Sequence, residues 1–196
     1  MKSISSLKVM LLIFYSLLIV DISAFSGEKH YTFTELIIKS DLIVRGKVIS
    51  LKSYKKEKGR IYSDIVFRVT KTYKGQKIDN EEITFTFMGG TVDGITTFII
   101  EYPQFIKNQE SILFLNRYSI EYNKQQKYVI AGLSQGKFNI YQDNKNNFIV
   151  RRDQFAGYNI EIVKEGKGML LNNSNHVSLN DFIGYLENSI QKQTLK

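Results

Sequence analysis

Apolar and polar residues alternate over two long runs in the first half of the chain. Leu42, Val44, Gly46 and Val48 fall on one face of an extended segment, with Ile43, Arg45 and Lys47 on the other. Ile61, Ser63, Ile65, Phe67 and Val69 repeat the period, opposed by Tyr62, Asp64, Arg68 and Thr70. A period of two is the pleat of a half-buried strand, so Ser40 to Gly75 predicts two long strands joined by a basic tip. On the outward face Asp64 is expected to pair across strands with Arg45, Lys47 or Arg68. A third strand is predicted over Glu82 to Met88, with Ile83, Phe85 and Phe87 inward. Gly89, Gly90 and Gly94 mark a turn or bulge before a short irregular strand over Thr96 to Tyr102. Ser111 to Tyr118 and Lys127 to Ala131 read as the fourth and fifth strands. Lys137 to Tyr141 and Asn147 to Arg151 form an added hairpin around Asp143 to Asn146. Lys164 to Asn175, rich in Asn, Lys and Gly, reads as an exposed loop.

Helical signals stand only at the ends. Thr32-Phe33-Thr34-Glu35 is a capping box, in which Thr32 and Glu35 satisfy each other's backbone N–H groups before the apolar Leu36, Ile37 and Ile38. Ser178-Leu179-Asn180-Asp181 opens a second helix, with Phe182, Ile183, Leu186 and Ile190 at helical spacing. Many strands with short turns argue against a parallel βαβ sheet. A closed sheet removes exposed edges, so the expected fold is mainly β. It is a small closed β-barrel of the oligonucleotide/oligosaccharide-binding (OB) type with a short N-terminal helix and a C-terminal helix.

Lys2 and Lys8 precede an apolar stretch, Val9 to Val20, and Ile22-Ser23-Ala24 offers a small-residue cleavage site. That stretch is shorter than the ~20 residues that span a bilayer. Residues 1–24 are therefore expected to be a signal peptide, and 25–196 a single domain with the added hairpin and helix. Cleavage removes Lys2, Lys8 and Asp21 and lowers the formal charge of +8 by one. With 43% hydrophobic and 23% charged residues the chain is globular in composition rather than disordered. It has no cysteine. Disulfides, thiolate metal sites, cysteine nucleophiles and a lipidated N-terminal cysteine are excluded. The expected location is periplasmic or secreted, in a bacterial envelope, with no transmembrane span after cleavage.

Ser40-Asp41-Leu42-Ile43-Val44-Arg45-Gly46-Lys47-Val48 resembles the first barrel strand of the tissue inhibitors of metalloproteinases and the related netrin-like modules. Thr70-Lys71-Thr72-Tyr73-Lys74-Gly75 is similar to their second-strand ending, and Ile112-Leu113-Phe114-Leu115 to their later core strand. The likeness covers residues 34 to 136 and consists of apolar positions. It implies an OB-type barrel and a protein partner. Those inhibitors chelate the proteinase zinc through an N-terminal cysteine, which this chain lacks, so no inhibitory residue carries over.

Gly132-Leu133-Ser134-Gln135-Gly136 matches G-x-S-x-G, and Asp153 and His176 follow in the order of an α/β-hydrolase triad. That motif requires a strand-to-helix turn, whereas Lys137 to Tyr141 alternates as a strand, so a glycine-bounded turn is the expected reading. Gly132 to Lys137 is one residue short of a phosphate loop and has Phe138 where a hydroxyl is needed. Gly89 to Gly94 is weighed as an anion-binding nest of amides against a barrel-corner bulge, and the bulge is simpler. His30 and His176 are the chain's two histidines, without neighbours at ligand spacing. No metal, cofactor or catalytic residue is expected.

The basic tip remains. Lys52, Tyr54, Lys55, Lys56, Lys58 and Arg60 are the candidate partner-binding residues, with Tyr62 interleaved on the returning strand. Cations with aromatics can hold single-stranded nucleic acid, but export removes that partner. An unknown acidic protein or an anionic envelope component, a glycan or lipid headgroups, fits better. The expected function is an exported, non-catalytic binding module. The alternatives are a metalloproteinase-inhibitor-like protein without the N-terminal cysteine, and a serine hydrolase using Ser134.

Overall fold

The computed structural model describes residues 30–99, 102–119, 126–152, 160–164, 167–171 and 176–194. The expected signal peptide and cleavage site lie outside the described residues.

Helix α1 (Phe33–Lys39) begins at the capping box expected for it. The Glu35 N–H donates to Thr32 Oγ1 at 3.2 Å and the Thr32 N–H to Glu35 Oε2 at 2.9 Å. It buries Phe33, Leu36 and Ile37 and stops at Ser40, whose backbone is extended. Strands β1 (Leu42–Lys55) and β2 (Ile61–Lys74) follow as an antiparallel hairpin. Lys74 returns to the end of α1, where its Nζ donates to the carbonyls of Ile37 (2.5 Å) and Ile38 (3.1 Å). A cation there satisfies carbonyls left open by the last turn and meets the negative end of the helix dipole.

After β3 (Glu82–Met88) comes a small hairpin of β4 (Gly90–Val92) and β5 (Ile95–Thr97). The chain continues through β6 (Glu110–Ser119), β7 (Gln126–Ile130), β8 (Lys137–Gln142) and β9 (Phe148–Arg152). Strands β10 (Ile160–Lys164) and β11 (Lys167–Leu171) pair with each other, so the expected loop from Lys164 onward contains a strand. The short strand expected over Thr96 to Tyr102 ends at Thr97. Strand β12 (Val177–Ser178) leads into helix α2 (Leu179–Thr194). The Asp181 N–H donates to Ser178 Oγ at 3.1 Å, the expected cap.

The fold is mainly β with a helix near each end, but the sheet is not a closed barrel. Its strand order is β12-β9-β8-β6-β1-β2-β3, with β7 branching from β6. Closure would require β3 to pair with β7, and no ladder joins them among the described residues. The reason lies in β6, whose second edge is divided. Leu115 to Ser119 take β7, and Glu110 to Leu113 take β8. Between these two strands a 3₁₀ turn, Leu133–Gly136, redirects the chain, so β8 and β9 carry the sheet outward. The hairpin of 137–152 is thus a continuation of the sheet and not an addition to a barrel. Phe85 and Phe87 of β3 face Tyr128 and Ile130 of β7 across a cavity of about 70 Å³.

Both faces of the central strands are covered. Leu42, Val44, Val48, Ile65, Phe67, Leu113 and Leu115 pack in the curled side of the sheet. Ile43, Ile112, Phe114, Phe138, Phe182 and Leu186 pack on the other side with both helices. Alternation therefore feeds two cores at once, which is why Ile112 to Leu115 is continuously apolar. Gly46 permits a bulge between them: a Cβ there would lie 2.2 Å from the Arg68 carbonyl oxygen and 2.6 Å from Phe67 Cε1.

Candidate functional site

Strand β1 pairs with β6 only as far as Lys47 opposite Glu110, while its pairing with β2 continues to Lys55 opposite Ile61. The end of the hairpin therefore projects past β6. Its turn is held by the Lys56 N–H bonding to the Arg60 carbonyl at 2.9 Å and the Gly59 N–H to the Lys56 carbonyl at 3.1 Å. Lys58 adopts the left-handed conformation at the apex (φ 64°).

The pleat sorts the candidate residues. Tyr54 stands opposite Tyr62, and their rings lie near-parallel with centroids 6.5 Å apart. Lys56 Nζ is 4.6 Å from the centre of the Tyr62 ring and 5.7 Å from that of Tyr54. A cation over two ring faces is attracted by both quadrupoles and held in place. The Tyr54 hydroxyl donates to Asp64 Oδ1 at 3.2 Å, and Thr86 Oγ1 donates to the same oxygen at 2.6 Å. Asp64 thus accepts from hydroxyls and stands opposite Lys52, not beside its expected arginine partners. Those arginines pair elsewhere, Arg45 with Glu110 and Arg68 with Glu82, each at 2.6 Å.

Ser53 and Lys55 turn to the other face, against the β4–β5 hairpin. Ser63 Oγ donates to the Gly89 carbonyl at 2.7 Å, so in the 2.8 Å contact between the two serines Ser53 is the donor. Gly90 sits on this pair: a Cβ would lie 2.2 Å from Ser63 Oγ and 2.4 Å from Ser53 Oγ. Lys55 Nζ meets Asp93 Oδ2 at 3.0 Å. Both partners are well exposed, so the pair contributes at most ~1 kcal/mol. The Gly89 N–H is bonded to the Ile61 carbonyl at 2.9 Å and residues 90–92 pair with 95–97, so the 89–94 segment is the arm of a hairpin and not an open nest of amides.

Of the six candidate residues, Lys52, Tyr54 and Lys56 form one face, Lys55 belongs to the other, and Lys58 and Arg60 flank the apex. Lys52, Lys56, Lys58 and Arg60 are exposed and make no ion pair among the described residues. The association with Asp93 and its neighbour Ile95 was not read from the sequence. Its signal was Gly89-Gly90, the glycine pair that lets a second hairpin lie on Ser53 and Ser63.

The other motifs are placed elsewhere. Ser134 is buried in the 3₁₀ turn, and a strand follows it, so it is not a strand-to-helix nucleophile. His176 is exposed and lines a groove with Asp143, Asn147 and Ser178, which does not include Ser134. Asp153 lies outside the described residues. Asp143 titrates below the ordinary carboxylate range, chiefly because the Asn147 N–H donates to it at 2.8 Å. Lys137 is buried, with Nζ 2.5 Å from Asn139 Oδ1 and 5.0 Å from the Phe105 ring centre. It cannot reach a phosphate in solvent. Among the described residues no group of three His, Cys, Asp or Glu side chains could hold a metal. No helix among them is long and apolar enough to cross a membrane.

Comparison with family models, with curated proteins and with solved structures finds no significant match. The resemblance to the tissue inhibitors of metalloproteinases is therefore not upheld. It rested on apolar positions of β1, β2 and β6, which serve here an open sheet and not a closed barrel.

Proposed function

We propose that the chain is an exported, non-catalytic binding module that captures an anionic partner through the β1–β2 tip. The observation that carries this is the placement of Lys52, Lys56, Lys58 and Arg60. All four are exposed beyond the edge of β6, on a turn closed by backbone hydrogen bonds, and none is neutralised by an ion pair among the described residues. A surface fixed before binding loses little conformational freedom when it binds. Lys56, seated over Tyr54 and Tyr62, is positioned in this way. The burial of Ser134 supports a non-catalytic role. Export rests on Lys2, Lys8 and the apolar Val9 to Val20.

The test is titration of the exported protein with polyglutamate. The wild type is expected to bind, with affinity falling as salt rises. Neutralising Lys52, Lys56 and Lys58 to Gln is expected to weaken binding by at least tenfold. Equal affinity of wild type and triple variant removes the tip from the function.

A further inference from the structure

The tip does not stand alone at its end of the sheet. The chain runs along β1 from Gly90, the first residue of β4, seated on Ser53 and Ser63, to Asp93 in the turn that follows, paired with Lys55. The Asp93–Gly94 turn is thereby carried to the level of Lys55. The next residue, Ile95, opposite Val92, is 57% exposed. A lone exposed isoleucine is ordinary on a protein surface. One held at the apex of a hairpin, beside a second apex bearing Lys52, Lys56, Lys58 and Arg60 and a tyrosine pair, is a different combination.

Resting on the tip's role as an anion-binding surface, we infer that its partner is the surface of an anionic lipid bilayer. The cations, the tyrosines and the isoleucine of the double apex each have a counterpart there, and the carboxylate of Asp93 is countered by Lys55. Lysines and arginines near an anionic leaflet are attracted by its negative surface potential. Tyrosine, apolar in body and polar at its tip, partitions to the headgroup level. An apolar side chain set among cations enters the acyl boundary, as on the apolar face of an interfacial helix. A sulfated glycan rewards the cations and offers Ile95 nothing. An acidic protein would need a pocket shaped for that one side chain. A bilayer needs no such fit, since two protruding apices meet it together.

The experiment is co-sedimentation of the exported protein with vesicles of phosphatidylglycerol and phosphatidylcholine in equal parts, with pure phosphatidylcholine vesicles and soluble polyglutamate as parallel arms. The wild type is expected to bind the anionic vesicles, less as salt rises, and not the pure phosphatidylcholine. Neutralising Lys52, Lys56 and Lys58 together should weaken vesicle binding roughly 100-fold, at ~1 kcal/mol per cation. Ile95→Ser should weaken vesicle binding about fivefold, from the loss of partial apolar burial, and leave polyglutamate binding unchanged. Its thermal melt should match the wild type because the side chain is exposed. Polyglutamate binding without vesicle binding overturns the lipid partner and leaves the tip as an anion site. So does an Ile95→Ser variant that binds vesicles like the wild type. Failure with both probes overturns both proposals. Vesicle binding that survives the triple neutralisation removes the tip from membrane contact.

Discussion

Phe33 is the side chain through which both helices are keyed to the sheet, and its truncation gives the sharpest test of how the fold is held. It is 1% exposed. Its ring lies 5.2 Å from Phe182 and 5.6 Å from Tyr185, both on α2, 5.6 Å from Phe114 on β6 and 5.8 Å from Phe138 on β8. Phe33→Ala removes the buried ring and leaves a cavity, which together cost about 3–5 kcal/mol. Edge-to-face pairs add ~0.5–1.5 kcal/mol beyond area, so the upper end of that range is expected. Set against a total of ~5–15 kcal/mol for a domain, this is a large fraction. Phe33→Leu keeps most of the volume and loses only ring geometry, at roughly 1–2 kcal/mol. Urea unfolding followed by circular dichroism and by tyrosine fluorescence measures both, since the chain has no tryptophan. A loss below ~1 kcal/mol for Phe33→Ala, or equal losses for the two variants, would refute the keystone role of this ring.

Two further outcomes follow from backbone and titration geometry. Gly46→Ala drives a methyl group into the Arg68 carbonyl and the Phe67 ring, whereas Gly94→Ala meets open space and only a left-handed φ of 74°. The first should cost ~3 kcal/mol or abolish folding, and the second about 1 kcal/mol, with equal urea midpoints counting against the bulge assignment. Asp143 is held below its unfolded value by the Asn147 N–H, so its contribution is present above that value and lost as pH falls through the folded one. Asp143→Asn, which does not titrate, should shrink the stability lost between neutral and strongly acid pH. Part of that loss stays, because Asp79, lowered chiefly by the Thr72 hydroxyl, still titrates. An unchanged acid-side loss in the variant refutes the assignment.

Local order was legible in the sequence where a few neighbouring residues decide it. The capping box at Thr32, the Ser178 cap and the strands over 42–55 and 61–74 needed only period and hydrogen-bonding side chains. Pairing between distant strands was not legible, because alternation gives a strand its faces but not its neighbours. Ile43 shows the consequence. It shares with Arg45 and Lys47 a face expected to point outward, yet the helices pack over its Ile43 end and bury that residue, while Lys47 stays exposed. The open sheet has the same origin, since nothing within 110–119 says that its edge is divided between two later strands. At the tip, Lys55 and Lys56 look alike in sequence. Pleat parity sends one to Asp93 and the other to the tyrosines. Ile95 gave no signal because a single apolar residue has no period.

The divided pairing of β1 also sets how the molecule opens. From Ile43 to Val48 the strand is bonded on both sides, to β2 and to the 108–114 segment. From Ser50 to Lys55 its ladder runs to β2 alone. Amide exchange should therefore be slow, and governed by global unfolding, in the first half, and faster, through local opening, in the second. One strand thus carries a root braced on both edges and an end braced on one. The tip keeps its hydrogen-bonded turn between such openings, and the two cores stay closed while it opens.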